Sequence, residues 1–221
     1  MKNGFTLIEL LVVIAIISLL MAILTPALSR AREQATIVVV NGELYCIAMA
    51  LESYSMDNEN RYPPTRADCN PWALKHAYAL PQELVDSHYL PKGEIGKVRF
   101  AKIEDKFNKG CTYKYIALGP RYDYHGTPFG DQPLYIPEGF PNREGENLIK
   151  YKDFRTSPVT WVLFSVGPKC DKQRVEQGNF PLTSGFPVSR QFWYSPQRRK
   201  GILTRIRLKK GRHIGSFEIK G

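Results

Sequence analysis

The chain has 221 residues, 43% of them hydrophobic, which is enough for one respectable core beside a membrane anchor and too little for several large domains. Its formal charge is +10, but from Arg190 to Gly221 ten Lys or Arg stand against Glu218 alone, so the basic excess sits almost entirely in the tail. Four histidines show no ligand spacing, and neither H-E-x-x-H, G-x-S-x-G nor a phosphate-binding glycine loop is present, so catalysis is not expected.

Residues 1–4, with Lys2, form a short basic leader. Phe5 to Leu24 then gives 20 residues whose only charge is Glu9. At about 1.5 Å per residue this run matches the hydrocarbon thickness of a bilayer. An ionisable side chain inside such a segment is costly and by default marks function, although so near one end it could also snorkel to the headgroups. A secretory signal peptide with a cut after Ala27-Leu28-Ser29 is the competing reading. It has too long an apolar core, and a carboxylate inside that core is unexpected.

The stretch Gly4-Phe5-Thr6-Leu7-Ile8-Glu9-Leu10 resembles the processing site of type IV pilins and type II secretion pseudopilins, with Gly before the cut, Phe after it and Glu at the fifth mature position. The resemblance implies that a prepilin peptidase cuts between Gly4 and Phe5 and that the new Phe5 amine is methylated. It also implies that Glu9 pairs with the amine of a neighbouring subunit in a helical filament of such subunits, raised by inner-membrane assembly machinery. The expected location is the bacterial inner membrane, single-pass with the head in the periplasm. Lys2 agrees with that orientation.

Pro26 removes the hydrogen bond that its amide would give to Ala22, so the helix is expected to loosen there without stopping; with Glu9 it is assigned to filament assembly. Apolar residues at spacings of three and four resume from Ala27 to Leu51, predicting one helix from Phe5 to about Tyr54. The β-branched run Ile37 to Val40 and Gly42 lower its intrinsic propensity, so packing must sustain it there. Tyr54, Asp57-Asn58 and Tyr62-Pro63 then resemble the helix exit of the major pseudopilin, with Glu59 where that family often has Gly. The expected fold is therefore α+β, a pilin fold. Residues 1–4 are leader, 5–54 the membrane and assembly helix, and 55–221 an exported head with a small antiparallel sheet.

Residues 66–110 read as loop with one short helix in "PQELVDSHYL". Strands are expected at about 112–118 and 159–166, with a Gly/Pro/Tyr-rich insertion of little regular structure at 119–147 between them. "QFWYS" and "GILTRIRLKKG" are the last strand candidates. In the latter, Ile202, Thr204, Ile206 and Leu208 alternate with Leu203, Arg205, Arg207 and Lys209. The strand aromatics, among them Tyr113, Tyr115 and Trp193, are expected in the core rather than on a stacking surface.

Four cysteines in an exported head favour disulfides, since no C-x2-C pair suggests zinc. Of the three pairings, Cys111 with Cys170 is preferred because the start of one strand would lie beside the end of an antiparallel neighbour, leaving Cys46 with Cys69. Pseudopilins commonly hold Ca2+ after a Gly-Pro-Asp-like turn. Here Lys169 stands in the place of the acid, so no metal or other cofactor is expected, and a disulfide at Cys170 is the substitute staple.

For the tail, one reading is a charged face that protects an edge strand. The other is a patch formed by Arg198, Arg199, Lys200, Arg205, Arg207, Lys209 and Lys210 for an anionic ligand such as DNA or polysaccharide. The main expectation is thus a structural filament subunit. A specialised minor subunit or envelope-anchored binding module is the alternative, and an anchored protein that never polymerises is a third.

Overall fold

A computed structural model of the chain describes residues 6–66, 79–95, 98–101, 103–123, 126–169 and 185–218. It divides into two compact units between Val38 and Val39. The first helix, α1 (Leu7–Asp57), runs through that boundary and contains Pro26 without interruption. Just before the proline, Thr25 Oγ1 donates to the Met21 carbonyl at 2.7 Å. The helix extends three residues past its expected end at Tyr54. The Asn58 side-chain amide then caps the Tyr54 carbonyl at 2.8 Å.

The second unit is an α+β head. Its share of α1 buries Val40, Leu44, Ile47, Ala48 and Leu51, a set at spacings of one, three and four that defines a single face. Each fully buried Leu or Ile contributes about 1.5 to 3 kcal/mol, which offsets the weak helix propensity of the β-branched run before Gly42.

The principal sheet joins β4 (Lys114–Ala117), β9 (Val159–Ser165), β10 (Leu203–Leu208) and β11 (His213–Gly215) in the order β11-β10-β9-β4. All three pairings are antiparallel, with Ile116 opposite Val162 and Val162 opposite Ile206. Those three residues share a face with Phe164 and lie in one apolar cluster that also takes in Leu134, Ile136, Phe186 and Trp193. The opposite face carries Trp161, Leu163, Arg205 and Arg207, and it is this face that meets α1, as Arg207 bonds Glu52. Because both faces are covered, β9 reads as the near-continuous apolar run VTWVLFS rather than as an alternation. Of the aromatics expected in the core, Tyr113, Tyr115, Trp193 and Tyr194 are buried, whereas Tyr122, Tyr135 and Phe192 are only partly covered.

Several expectations need correction. Residues 119–147 are not a structureless insertion. They hold β5 (Gly119–Tyr122), β6 (Pro128–Gln132) and β7 (Leu134–Pro137). The first two form a sheet with β1 (Thr65–Arg66), and β7 pairs with β8 (Leu148–Tyr151). Glycines at positive φ, including Gly126, Gly130 and Gly139, punctuate the stretch. Gly126 and Gly139 stand in the turns before β6 and after β7, whereas Gly130 lies within β6, so breaker residues here do not mark an absence of strands.

β10 is an interior strand, flanked by β9 and β11, and needs no edge protection. "QFWYS" is a 3-10 turn at Arg190–Phe192 followed by isolated bridges, and the helix expected in "PQELVDSHYL" shortens to α2 (Glu83–Asp86). Residues 92–101, expected as loop, contain the hairpin β2 (Lys92–Ile95) and β3 (Val98–Ala101).

Two glycines set the sheet's close approaches. A Cβ on Gly167, at φ 72°, would lie 1.9 Å from the Gly201 carbonyl oxygen, and one on Gly215 would lie 2.0 Å from that of Thr204. No larger residue fits at either position without moving backbone.

Candidate functional site

Glu9 sits in the first turn of α1, and its neighbour Thr6 stands just outside the helix. The Thr6 amide and hydroxyl both donate to Glu9 Oε2, at 2.8 and 2.7 Å, and the Glu9 amide donates back to Thr6 Oγ1 at 3.2 Å. This is a capping box, in which two otherwise unpartnered helix-end amides are satisfied reciprocally. The Thr6-x-x-Glu9 spacing is the sequence signature of such a cap, a role of Glu9 that its charge alone does not imply. Gly4 and Phe5 lie outside the described residues.

Beyond Glu9 the helix presents apolar side chains all round, with Leu10, Leu11, Leu19 and Ile23 among the exposed residues. This segment is long and apolar enough to cross a membrane by length and composition. Exposure of that many large apolar residues requires a cover, and a lipid phase supplies one.

The basic tail is dispersed by the head's fold. Arg205 is buried on β10, with its guanidinium 5.2 Å from the Tyr45 ring centroid and 4.2 Å from that of Phe217. Arg207 Nε donates to Glu52 Oε1 at 2.6 Å, and the Tyr62 hydroxyl donates to Glu52 Oε2 at 2.9 Å. His213 Nε2 lies 3.5 Å from the same carboxylate. Burial pushes the Glu52 carboxyl up, but hydrogen bonds from His213, Arg207 and Tyr62 outweigh it and hold the group down at about 2. Burial and the hydrogen bond to Glu52 push the Tyr62 phenol up to about 12.

The other tail cations lie elsewhere. Lys209 and Lys210 are exposed after the end of β10, and the Lys209 ammonium donates to the Arg155 carbonyl. Arg198, Arg199 and Lys200 occupy a separate turn, closed by the Arg199 amide on the Ser195 carbonyl at 2.7 Å. The residues expected to form one patch are thus carried by three elements, Arg205 and Arg207 on the face of β10 that meets α1, Lys209 and Lys210 on the turn after it, and Arg198 to Lys200 on another turn.

Comparison with known proteins decides the family. The pattern described as "Prokaryotic N-terminal methylation motif" matches residues 1–25. "Type II secretion system core protein G" of Pseudomonas aeruginosa is 40% identical over 65 residues, which is 29% of this chain and 45% of that protein, so the match spans less than half of that relative. "Type IV wide pilus major component PilA4" of Thermus thermophilus is 38% identical over 114 residues, 48% of this chain and 86% of that protein. "Type II secretion system core protein G" of Aeromonas hydrophila is 38% identical over 113 residues, 44% of this chain and 78% of that protein. The chain belongs to the type IV pilin and pseudopilin family. No solved structure matches it.

The pilin family consists of structural subunits and not enzymes. In this pilin's head, Cys111 is buried three residues before β4, and Lys114 of that strand lies opposite Phe164 near the end of β9. The strand arrangement on which the Cys111–Cys170 pairing was argued is therefore present, while Cys69 and Cys170 lie outside the described residues. Cys46 is exposed on α1. Among the described residues no group of three or more His, Cys, Asp or Glu is placed to hold a metal ion.

The buried Asp105 is spent on structure. Its Oδ1 accepts from the Phe107 amide at 2.9 Å and from Ser165 Oγ at 2.7 Å, and its Oδ2 from the Val166 amide at 3.2 Å. These bonds clamp the loop before β4 to the end of β9. Nothing in the residues around Asp105 marks this role, which its placement behind β9 decides.

Proposed function

We propose that this pilin is matured by cleavage between Gly4 and Phe5 with N-methylation of Phe5. It is then stored in the bacterial inner membrane by the apolar part of α1, with the head in the periplasm, and assembled with other subunits into a pilus or secretion pseudopilus filament. The observation that carries this reading is the methylation motif over residues 1–25, in register with an exposed apolar helix whose first turn holds Glu9 as its only acid before Pro26. The names of the relatives, which include a pilus component and a secretion-system core protein, support the filament role.

On this reading the Thr6–Glu9 capping box occupies the carboxylate in the stored subunit, and the neighbour's amine takes it up in the filament, where each charge offsets the cost of burying the other. The prepilin peptidase and an inner-membrane assembly apparatus are the implied partners. Mass spectrometry of membrane-extracted protein tests the first step. Mature chains starting at N-methylated Phe5 are expected, whereas chains starting at Arg30 would mean ordinary signal-peptide removal.

A further inference from the structure

A cavity of about 600 Å³ opens in the head between the turn that follows β7, the segment after β8 and the turn between β10 and β11. Its size lies within the range of small-ligand sites, roughly 300 to 1,000 Å³. One wall is cationic, made by Lys209, Lys210 and Arg212, and the others include Asn142, Phe140 and Tyr151. Among the described residues no Asp or Glu lines it.

The charge on that wall is only partly answered within the head. Arg212 Nη2 pairs with Glu218 at 3.0 Å, where both side chains are well exposed and their attraction is screened. The Lys209 ammonium donates to a neutral carbonyl, that of Arg155, and among the described residues it forms no ion pair. Nearby Asp153 is turned to its own loop, accepting from the Arg155 amide at 2.8 Å. Lys210 is exposed on the same turn.

We propose that this cavity binds an acidic saccharide through a uronate-type residue. The carboxylate lies against Lys210 and Arg212, the apolar face of the sugar ring meets Tyr151, and the Asn142 amide serves the ring hydroxyls. Tyr151 packs partly against the apolar core, so its ring is a fixed platform rather than a mobile side chain. A nucleic acid fits less well. Its backbone needs cations spaced along a groove and several stacking aromatics, whereas the cations that line this cavity all come from the turn between β10 and β11 and Tyr151 and Phe140 are its aromatics.

The test is calorimetric titration of the full chain in detergent micelles with trigalacturonate, neutral maltotriose and an oligothymidine of matched charge. Saturable binding of trigalacturonate without binding of maltotriose is expected. Lys210→Gln, on an exposed turn and checked for an unchanged melting temperature, should weaken it about fivefold or more, while Arg198→Gln should stay within about twofold. Four results would each overturn the proposal: no saturable trigalacturonate binding, equal weakening by both variants, unchanged affinity in Lys210→Gln, or oligothymidine bound as tightly as the acidic sugar.

Discussion

Arg207 Nε donates to Glu52 Oε1 at 2.6 Å, joining β10 to the last turns of α1 across 155 positions of sequence. Both side chains are 19% exposed, so the pair is shielded enough to matter and remains in contact with water. Arg207→Ala leaves Glu52 with only Tyr62 and His213 and should cost about 2 to 4 kcal/mol of head stability, as expected for losing one partner of a largely buried pair. Chemical denaturation of the full chain in micelles measures this. A loss under about 0.5 kcal/mol would place the pair among surface ion pairs of little consequence.

Glu52 also predicts an acid limb. Its carboxyl titrates at about 2 in the fold against an ordinary value of 4.5, so its contribution is fully present above 4.5 and is lost as pH falls toward 2. Allowing for solvent screening, the effect is on the order of 2 kcal/mol. Glu52→Gln should flatten stability over that window relative to the parent chain, measured as melting temperature against pH.

Asp105 has the opposite sign. Burial pushes its carboxyl up to about 6 from an ordinary 3.8, against the hydrogen bonds from Phe107, Ser165 and Val166. Its contribution is present below 3.8 and declines as pH rises through 6, by on the order of 2 to 3 kcal/mol. Asp105→Asn cannot titrate. The difference in stability between parent and variant should therefore shift between pH 4 and pH 7, and a constant difference would show that Asp105 does not change protonation there.

The adjacency of β4 and β9 predicts the disulfide map. Peptide mapping without reduction should show Cys111 joined to Cys170, with Cys46 joined to Cys69. Recovery of all four thiols free from periplasmic material would remove disulfides from the account of the head.

On the proposed function Glu9 pairs with a neighbour's amine as well as capping α1, and two substitutions part these roles. Glu9→Ala removes both charge and cap, whereas Glu9→Gln keeps an acceptor for the Thr6 amide and removes only the charge. Both variants should insert in the membrane and lose the leader, since Gly4-Phe5 is untouched, and both should fail to enter filaments. Filament yield is read beside membrane level and leader removal. Normal filaments from Glu9→Gln would make Glu9 a helix cap and nothing more.

The N-terminal unit was almost wholly legible from the chain alone. An apolar run, a lone carboxylate and a Thr-x-x-Glu pattern are local features, because a helix satisfies its own backbone within a few residues and its side chains then face whatever surrounds it. Strand existence was legible for the same reason at Lys114–Ala117 and Val159–Ser165, where β-branched and aromatic residues cluster.

Pairing was not legible. Whether Arg205 and Arg207 form an exposed basic stripe or turn against α1 depends on which face of β10 meets the helix, and the two choices differ by a one-residue register shift that composition does not record. Glu52 and Arg207, Asp105 and Ser165, and the walls of the Lys210 cavity come from segments far apart in sequence. Only the closing of the sheet brings them within hydrogen-bond reach, so the partner of each buried charge was decided by tertiary structure.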